Sequence, residues 1–211
     1  VGVAITAGKL GIGFTDGNIK IGNTALDSLT TGTENTAIGD KALTANTTGS
    51  TNTAVGYESL DANTTGSNNV GVGRKSLTEN TTGANNTALG TSALFSNTTG
   101  SDNTSVGFAA LDVNTTADNN TAVGSAALGS NTTGGNNTAL GQQSLQSNTT
   151  TSNNTAIGKD ALRHFTAGNN TAIGYDAMQG ASGSSTGSNN VAIGYAALTS
   201  DTTGQLNIGI G

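Results

Sequence analysis

Asn35-Thr-Ala-Ile-Gly-Asp-Lys-Ala-Leu-Thr-Ala-Asn-Thr-Thr-Gly49 and, after two intervening residues, Asn52-Thr-Ala-Val-Gly-Tyr-Glu-Ser-Leu60 are copies of one pattern. The pattern returns to the end of the chain, and its period decides the architecture. An anchor glycine recurs at Gly22, Gly39, Gly56, Gly73 and onward to Gly158 in steps of 17, then at Gly174, Gly194 and Gly211 in steps of 16, 20 and 17. Four residues after each anchor up to Gly194 stands an apolar side chain, leucine from Leu26 to Leu198 with Met178 as the one exception. Four residues before each anchor stands an asparagine, from Asn18 and Asn35 to Asn190 and Asn207.

A 17-residue unit is too short for the helix pairs of helical repeat proteins, and its Gly, Asn and Thr are poor helix formers. It suits one coil of a parallel β-solenoid, an all-β fold. Each coil would hold a short strand such as Thr53-Ala54-Val55, a turn, an anchor such as Leu60, and a polar turn such as Asn63-Thr64-Thr65-Gly66. Alternation along the strand predicts that Ile38, Val55, Val72, Leu89 and their counterparts to Ile210 form one inward column, with the leucines as a second. Coils stacked at about 4.8 Å over eleven intervals make a rod roughly 50 Å long, along which identical asparagines can ladder. Each coil brings little apolar area, since alanine adds little at about 25 cal/mol per Å². A homotrimer, intertwined or side by side, would let the Leu and Ile columns of three chains share an interior.

Composition narrows the function. The chain of 211 residues has 32 Gly, no Pro, no Cys, no Trp and 9% charged residues, which offers neither an ordinary globular core nor a disulfide framework. Such a composition suits a flexible linker, but a linker has no reason to hold two apolar positions in phase over eleven turns. The net charge of −6 and the scattered basic residues give no stripe for a phosphate backbone, so no nucleic acid partner is expected. No apolar run is long enough to cross a bilayer, so no direct membrane insertion is expected. The chain starts at Val1 with no signal peptide and reads as a fragment or processed product.

Two stretches depart from the pattern. Residues 1–21 lack the full unit, but Val1-Gly-Val-Ala-Ile and Gly11-Ile-Gly-Phe alternate like strands and read as an N-terminal cap or irregular coil before the solenoid of 22–211. Near Gly158–Gly194, Phe165 replaces a turn asparagine, one residue is lost before Asn169, and three are gained in an insertion at 179–187. That region holds the single His and Met of the chain. Arg163, His164, Phe165, Tyr175, Asp176 and Tyr195 are the candidate ligand-contact residues, because loops carry function more often than scaffold does. The alternative is a tolerated corner insertion.

Several motifs read as structure. The Asn-x-Thr sequences, among them Asn46-Thr-Thr and Asn119-Asn-Thr, fall in phase with the coil and read as corner residues rather than glycan acceptors. Carboxylates such as Asp40, Glu58, Asp61, Asp112 and Asp160 occupy differing positions in their units, so no metal column is expected, nor any cofactor. The one His has neither a cysteine nor a recurring carboxylate pair, and no enzyme activity is expected. Repeated Asn-Thr-Thr groups do raise an alternative, an ice-binding face built of threonine and asparagine rows including Thr64, Thr81 and Thr98.

The Asn-Thr-Ala-Ile-Gly units of Asn35–Gly49 and Asn52–Leu60 resemble the repeat shafts of bacterial and phage tail-fibre-domain proteins and are similar to the heads of trimeric autotransporter adhesins. The resemblance covers nearly all of residues 18–211. It implies homotrimeric fibres, and the adhesin heads imply a left-handed parallel β-roll. The expected function is therefore a structural segment of an extracellular fibre, on a cell surface or phage virion. Its partners would be further copies of itself, as a trimer or longer filament, and a host-surface glycan or protein receptor.

Overall fold

The computed structural model describes residues 12–15, 17–181 and 185–211, among which there is no helix. Strand β1 (Ile12–Thr15) pairs antiparallel with β2 (Asn18–Ile21) across a turn at Gly17. Eleven three-residue strands follow, from β3 (Thr36–Ile38) to β13 (Ile208–Ile210). All thirteen lie in one sheet in chain order, and β2 to β13 pair in parallel, each residue facing its counterpart one coil on. The chain is thus a parallel β-solenoid of about eleven turns. The β1–β2 hairpin covers its first edge; Val1–Ile5 lies outside the described residues.

Left-handed backbone conformations close the coil. In the unit that starts at Asn52, Glu58, Leu60 and Asn68 have φ of 56°, 53° and 59°, and the anchor Gly56 has φ of 135°. Such values are uncommon for residues other than glycine, above all for bulky ones. The leucines hold them because stacking over-determines the backbone: the Leu60 N–H donates to the Ser76 carbonyl at 3.0 Å and the Ala62 N–H to Thr78 at 2.9 Å. The leucines of this column, four residues after each anchor from Leu43 to Leu162, are also fully buried, which offsets the strain.

The strand column faces the other way from the expectation above. In β4 (Thr53–Val55) it is Ala54 that is fully buried, while Val55 points outward and is half-buried; Val72 is 37% and Leu140 45% exposed. The physical reason is width. One leucine from the opposite wall already fills a 17-residue coil, leaving room for only a small residue on the strand. In β5 (Val70–Val72) even that residue is missing, and serines lean into its place: Ser59 Oγ donates to the Gly71 carbonyl at 2.9 Å, and a Cβ on Gly71 would lie 2.7 Å from that oxygen. The Leu column is therefore buried by its own chain, and the sharing of leucines among three chains falls away as a reason for trimerisation.

Two asparagine ladders complete the interior. In the first, the backbone N–H of Asn69 donates to Asn52 Oδ1 at 2.9 Å, and Asn52 Nδ2 donates to the Gly66 carbonyl at 2.9 Å. In the second, Asn63 Nδ2 donates to Asn46 Oδ1 at 2.9 Å and to that same Gly66 carbonyl at 3.0 Å. Buried polar groups cost free energy only when unpaired, and here the repeat supplies each partner one coil away. The second ladder runs from Asn46 to Asn148, with Leu29 and Phe165 at the equivalent positions beyond its ends. Asn148 Oδ1, which has no asparagine after it, accepts the Thr151 hydroxyl instead.

Candidate functional site

The six candidate residues separate in the structure. Phe165 is fully buried and is the largest such side chain among the described residues, so it presents no side-chain surface to solvent. It occupies the ladder position that asparagine vacates and bridges to Ser185 of the inserted segment, whose residues 182–184 lie outside the described ones. His164 is half-buried and bound through its backbone, its N–H to Gln179 and its carbonyl to Ser185, both at 3.0 Å. Arg163 Nε donates to Gln146 Oε1 at 3.1 Å, and its Nη1 lies 3.3 Å from Asp160 Oδ1. The first ties adjacent coils, and the second holds the side chain within its own coil.

Tyr175, Asp176 and Tyr195 do come together, because the two tyrosines follow their anchor glycines directly and so occupy one column. Their rings stack at 5.4 Å with 9° between planes. The Lys159 ammonium of the preceding coil lies 5.2 Å from the Tyr175 centroid. That ammonium also pairs with Asp160, which raises the lysine pKa above its ordinary value. Asp176 accepts from Gln179 Nε2 at 3.1 Å. Tyr195 is 74% exposed, and such a stacked pair offers aromatic surface of the kind that packs on sugar rings. Among the described residues no group of three His, Cys, Asp or Glu is placed to hold a metal ion.

A second charged corner lies near the other end. Glu58 sits between Lys41 at 3.0 Å and Lys75 at 3.4 Å on the coils before and after it. The Tyr57 hydroxyl first, and then the Lys41 ammonium, hold its carboxyl at about 2, below the ordinary 4.5. Because the folded value is depressed, the contribution to stability is present above pH 4.5 and is lost as pH falls from there through 2. Thermal unfolding is expected to show a Tm difference between wild type and Glu58→Gln of no more than about 4 °C at pH 7, as exposed networks give. It should narrow below pH 4.5 and close below pH 2; a difference independent of pH would overturn this assignment.

What sequence reasoning missed is the outer face of the sheet. Each strand from β3 to β13 points its first and third residues outward, giving a file of Thr or Val (Ile in the last strand) beside a file of Ile, Val or Leu, with no charged side chain in either. On the Asn-Thr-Thr corner the first threonines are engaged: Thr64 Oγ1 donates to the Thr81 carbonyl at 3.0 Å, and Thr81 Oγ1 to Thr98 at 2.9 Å. The second ones, such as Thr65, Thr82 and Thr99, stand exposed, and among the first ones Thr149 does too. Comparison of the chain with family models, with curated proteins and with solved structures finds no match.

Proposed function

We propose that the chain is a structural segment of an extracellular homotrimeric fibre, a shaft or head that holds an adhesive or receptor-binding surface away from a cell or virion. The observation that carries this reading is the uncharged outer stripe of the sheet. It runs the length of the rod, and charged groups are the ones most depleted from the cores of protein interfaces. Its period is that of the chain itself, so further copies of the chain match its ridges coil for coil where a partner of another period drifts out of phase. The Asn-x-Ala-Ile-Gly resemblance supports the same assembly. The variable corner, with the Tyr175–Tyr195 pair, is the surface such a fibre would offer to a host glycan or receptor. The role is mechanical and involves no catalysis. The ice-binding alternative is less favoured, because the Thr64, Thr81 and Thr98 hydroxyls are already donated to backbone carbonyls.

Sedimentation velocity tests the assembly. Wild type is expected to run as a trimer at micromolar concentration, and Val123→Asp with Leu140→Asp to run as a folded monomer, since both positions lie on the outer stripe. A wild-type chain that remains a folded monomer would refute the proposal.

A further inference from the structure

The coil sorts the Asn-x-Thr/Ser sequences into two groups. The asparagines of the Asn-Thr-Thr turns, from Asn46 to Asn148, are fully buried in the second ladder, and Asn103 of Asn103-Thr-Ser is buried in the first. Their amides are committed: Asn97 Nδ2, for example, donates to Asn80 Oδ1 at 2.8 Å and to the Gly100 carbonyl at 2.9 Å. The five that read Asn-Asn-Thr differ. Asn85, Asn119, Asn136, Asn153 and Asn169 all stand exposed at a corner, with φ between 58° and 62°. Each is followed two residues on by the threonine that begins a strand. Asn85 donates to Asp102 on the surface and Asn153 to Asn169, while Asn119 and Asn136 donate no side-chain hydrogen bond among the described residues. Elsewhere the same corner carries Glu34, Thr51 or Asp102, so the fold does not require asparagine there.

We propose that Asn85, Asn119, Asn136, Asn153 and Asn169 are acceptors for N-linked sugar, an inference that rests on the fibre reading only in supposing display outside the cell. The donor is a sugar activated by a phosphate on its anomeric carbon. The amide Nδ2 forms the new bond to that carbon, and the carbon–oxygen bond to phosphate breaks. The phosphate leaves with the electron pair, and the amide proton passes to a base of the transferase. The Asn-x-Thr pattern supplies the recognition element. Sugars on the buried group would prevent coil closure, so the folded chain carries them only on the exposed one. Geometry also limits their number. Asn119, Asn136, Asn153 and Asn169 follow one another at the coil spacing of about 4.8 Å, less than the width of a sugar ring, so neighbours exclude each other. At most two of these four are occupied together, and with Asn85 the ceiling is three per chain.

Peptide mass mapping of the full chain, recovered from the cells that make it, tests the proposal. The expected result is sugar on members of the exposed five, never on adjacent coils of one chain, and none on the buried asparagines. Folded chain with all five unmodified, or with sugar on a buried asparagine such as Asn97, overturns it. Protease accessibility on intact cells, measured in parallel, reads display separately. A displayed but sugar-free chain sinks this inference alone, and a sugar-bearing chain that is never displayed sinks the fibre reading alone.

Discussion

Gly90→Ala is expected to destabilise the centre of the rod by about 1–3 kcal/mol per chain from backbone conformation alone, with the steric clash adding to it. Gly90 has φ of 136°, a region that residues with a Cβ scarcely enter. A Cβ there would also lie 2.6 Å from the Gly107 carbonyl oxygen and 2.8 Å from its carbon. Neither backbone can retreat, because the Gly107 N–H is tied to Leu89 at 2.8 Å and the Gly90 N–H to Val72 at 2.8 Å. The chain contains its own control. Gly100, on the Asn-Thr-Thr corner, is equally crowded, with 2.4 Å from a built Cβ to the Ala117 oxygen, but its φ is not positive. At the equivalent corner other coils carry Ala117 and Thr151, whereas all twelve anchors from Gly22 to Gly211 are glycine. Gly100→Ala should therefore cost far less than Gly90→Ala. Urea denaturation followed by circular dichroism checks the pair; equal losses would show that crowding, and not backbone conformation, fixes the anchor.

The period, the strand position and the buried leucines were legible because each follows from one residue type returning in phase. The direction of the strand column was not. Alternation gives a period of two without saying which member faces in, and size tempts the reader to put Ile38 or Val55 inside. A signal was present nonetheless: the middle strand residue is confined to Ala, Gly or Ser from Ala37 to Gly209, while Ile, Val and Leu exchange freely at the third. A narrow interior restricts volume in just that way, and a half-exposed face does not. Phe165 was misplaced for a related reason. Seen beside an insertion it looks like an exposed aromatic, but Leu29 holds the equivalent position 17 residues before Asn46, at the other end of the ladder. The stacking of Tyr175 on Tyr195 needed only the anchor count, since residues that directly follow anchors share a column. The grouping of Asn-x-Thr sequences into buried and exposed sets required the hydrogen-bond partners, which spacing alone does not assign.

Leu94→Ala is expected to cost about 2–5 kcal/mol per chain, the usual range for emptying a fully buried leucine site. Leu94→Ile separates packing from backbone. It keeps the volume but places a β-branched side chain at φ of 53°, where such residues are genuine outliers, so it should be no better than alanine. Leu94→Met should cost less than about 1.5 kcal/mol, as volume-conserving changes do, because Met178 occupies the same position of its own coil at φ of 46°. Thr91 and Ser92 of the same coil are half-buried at its surface, and alanine at either should change stability by under about 0.5 kcal/mol. Each coil contacts only its neighbours, so the loss at Leu94 falls on one level of the rod and weakens cooperativity between the halves on either side. Native-state hydrogen exchange should accordingly show faster exchange at Leu77 and Leu111 than at Leu43 in the Leu94→Ala chain. An isoleucine variant as stable as the methionine one would mean that the leucine backbone is not left-handed, and the coil geometry built on it would have to be redrawn.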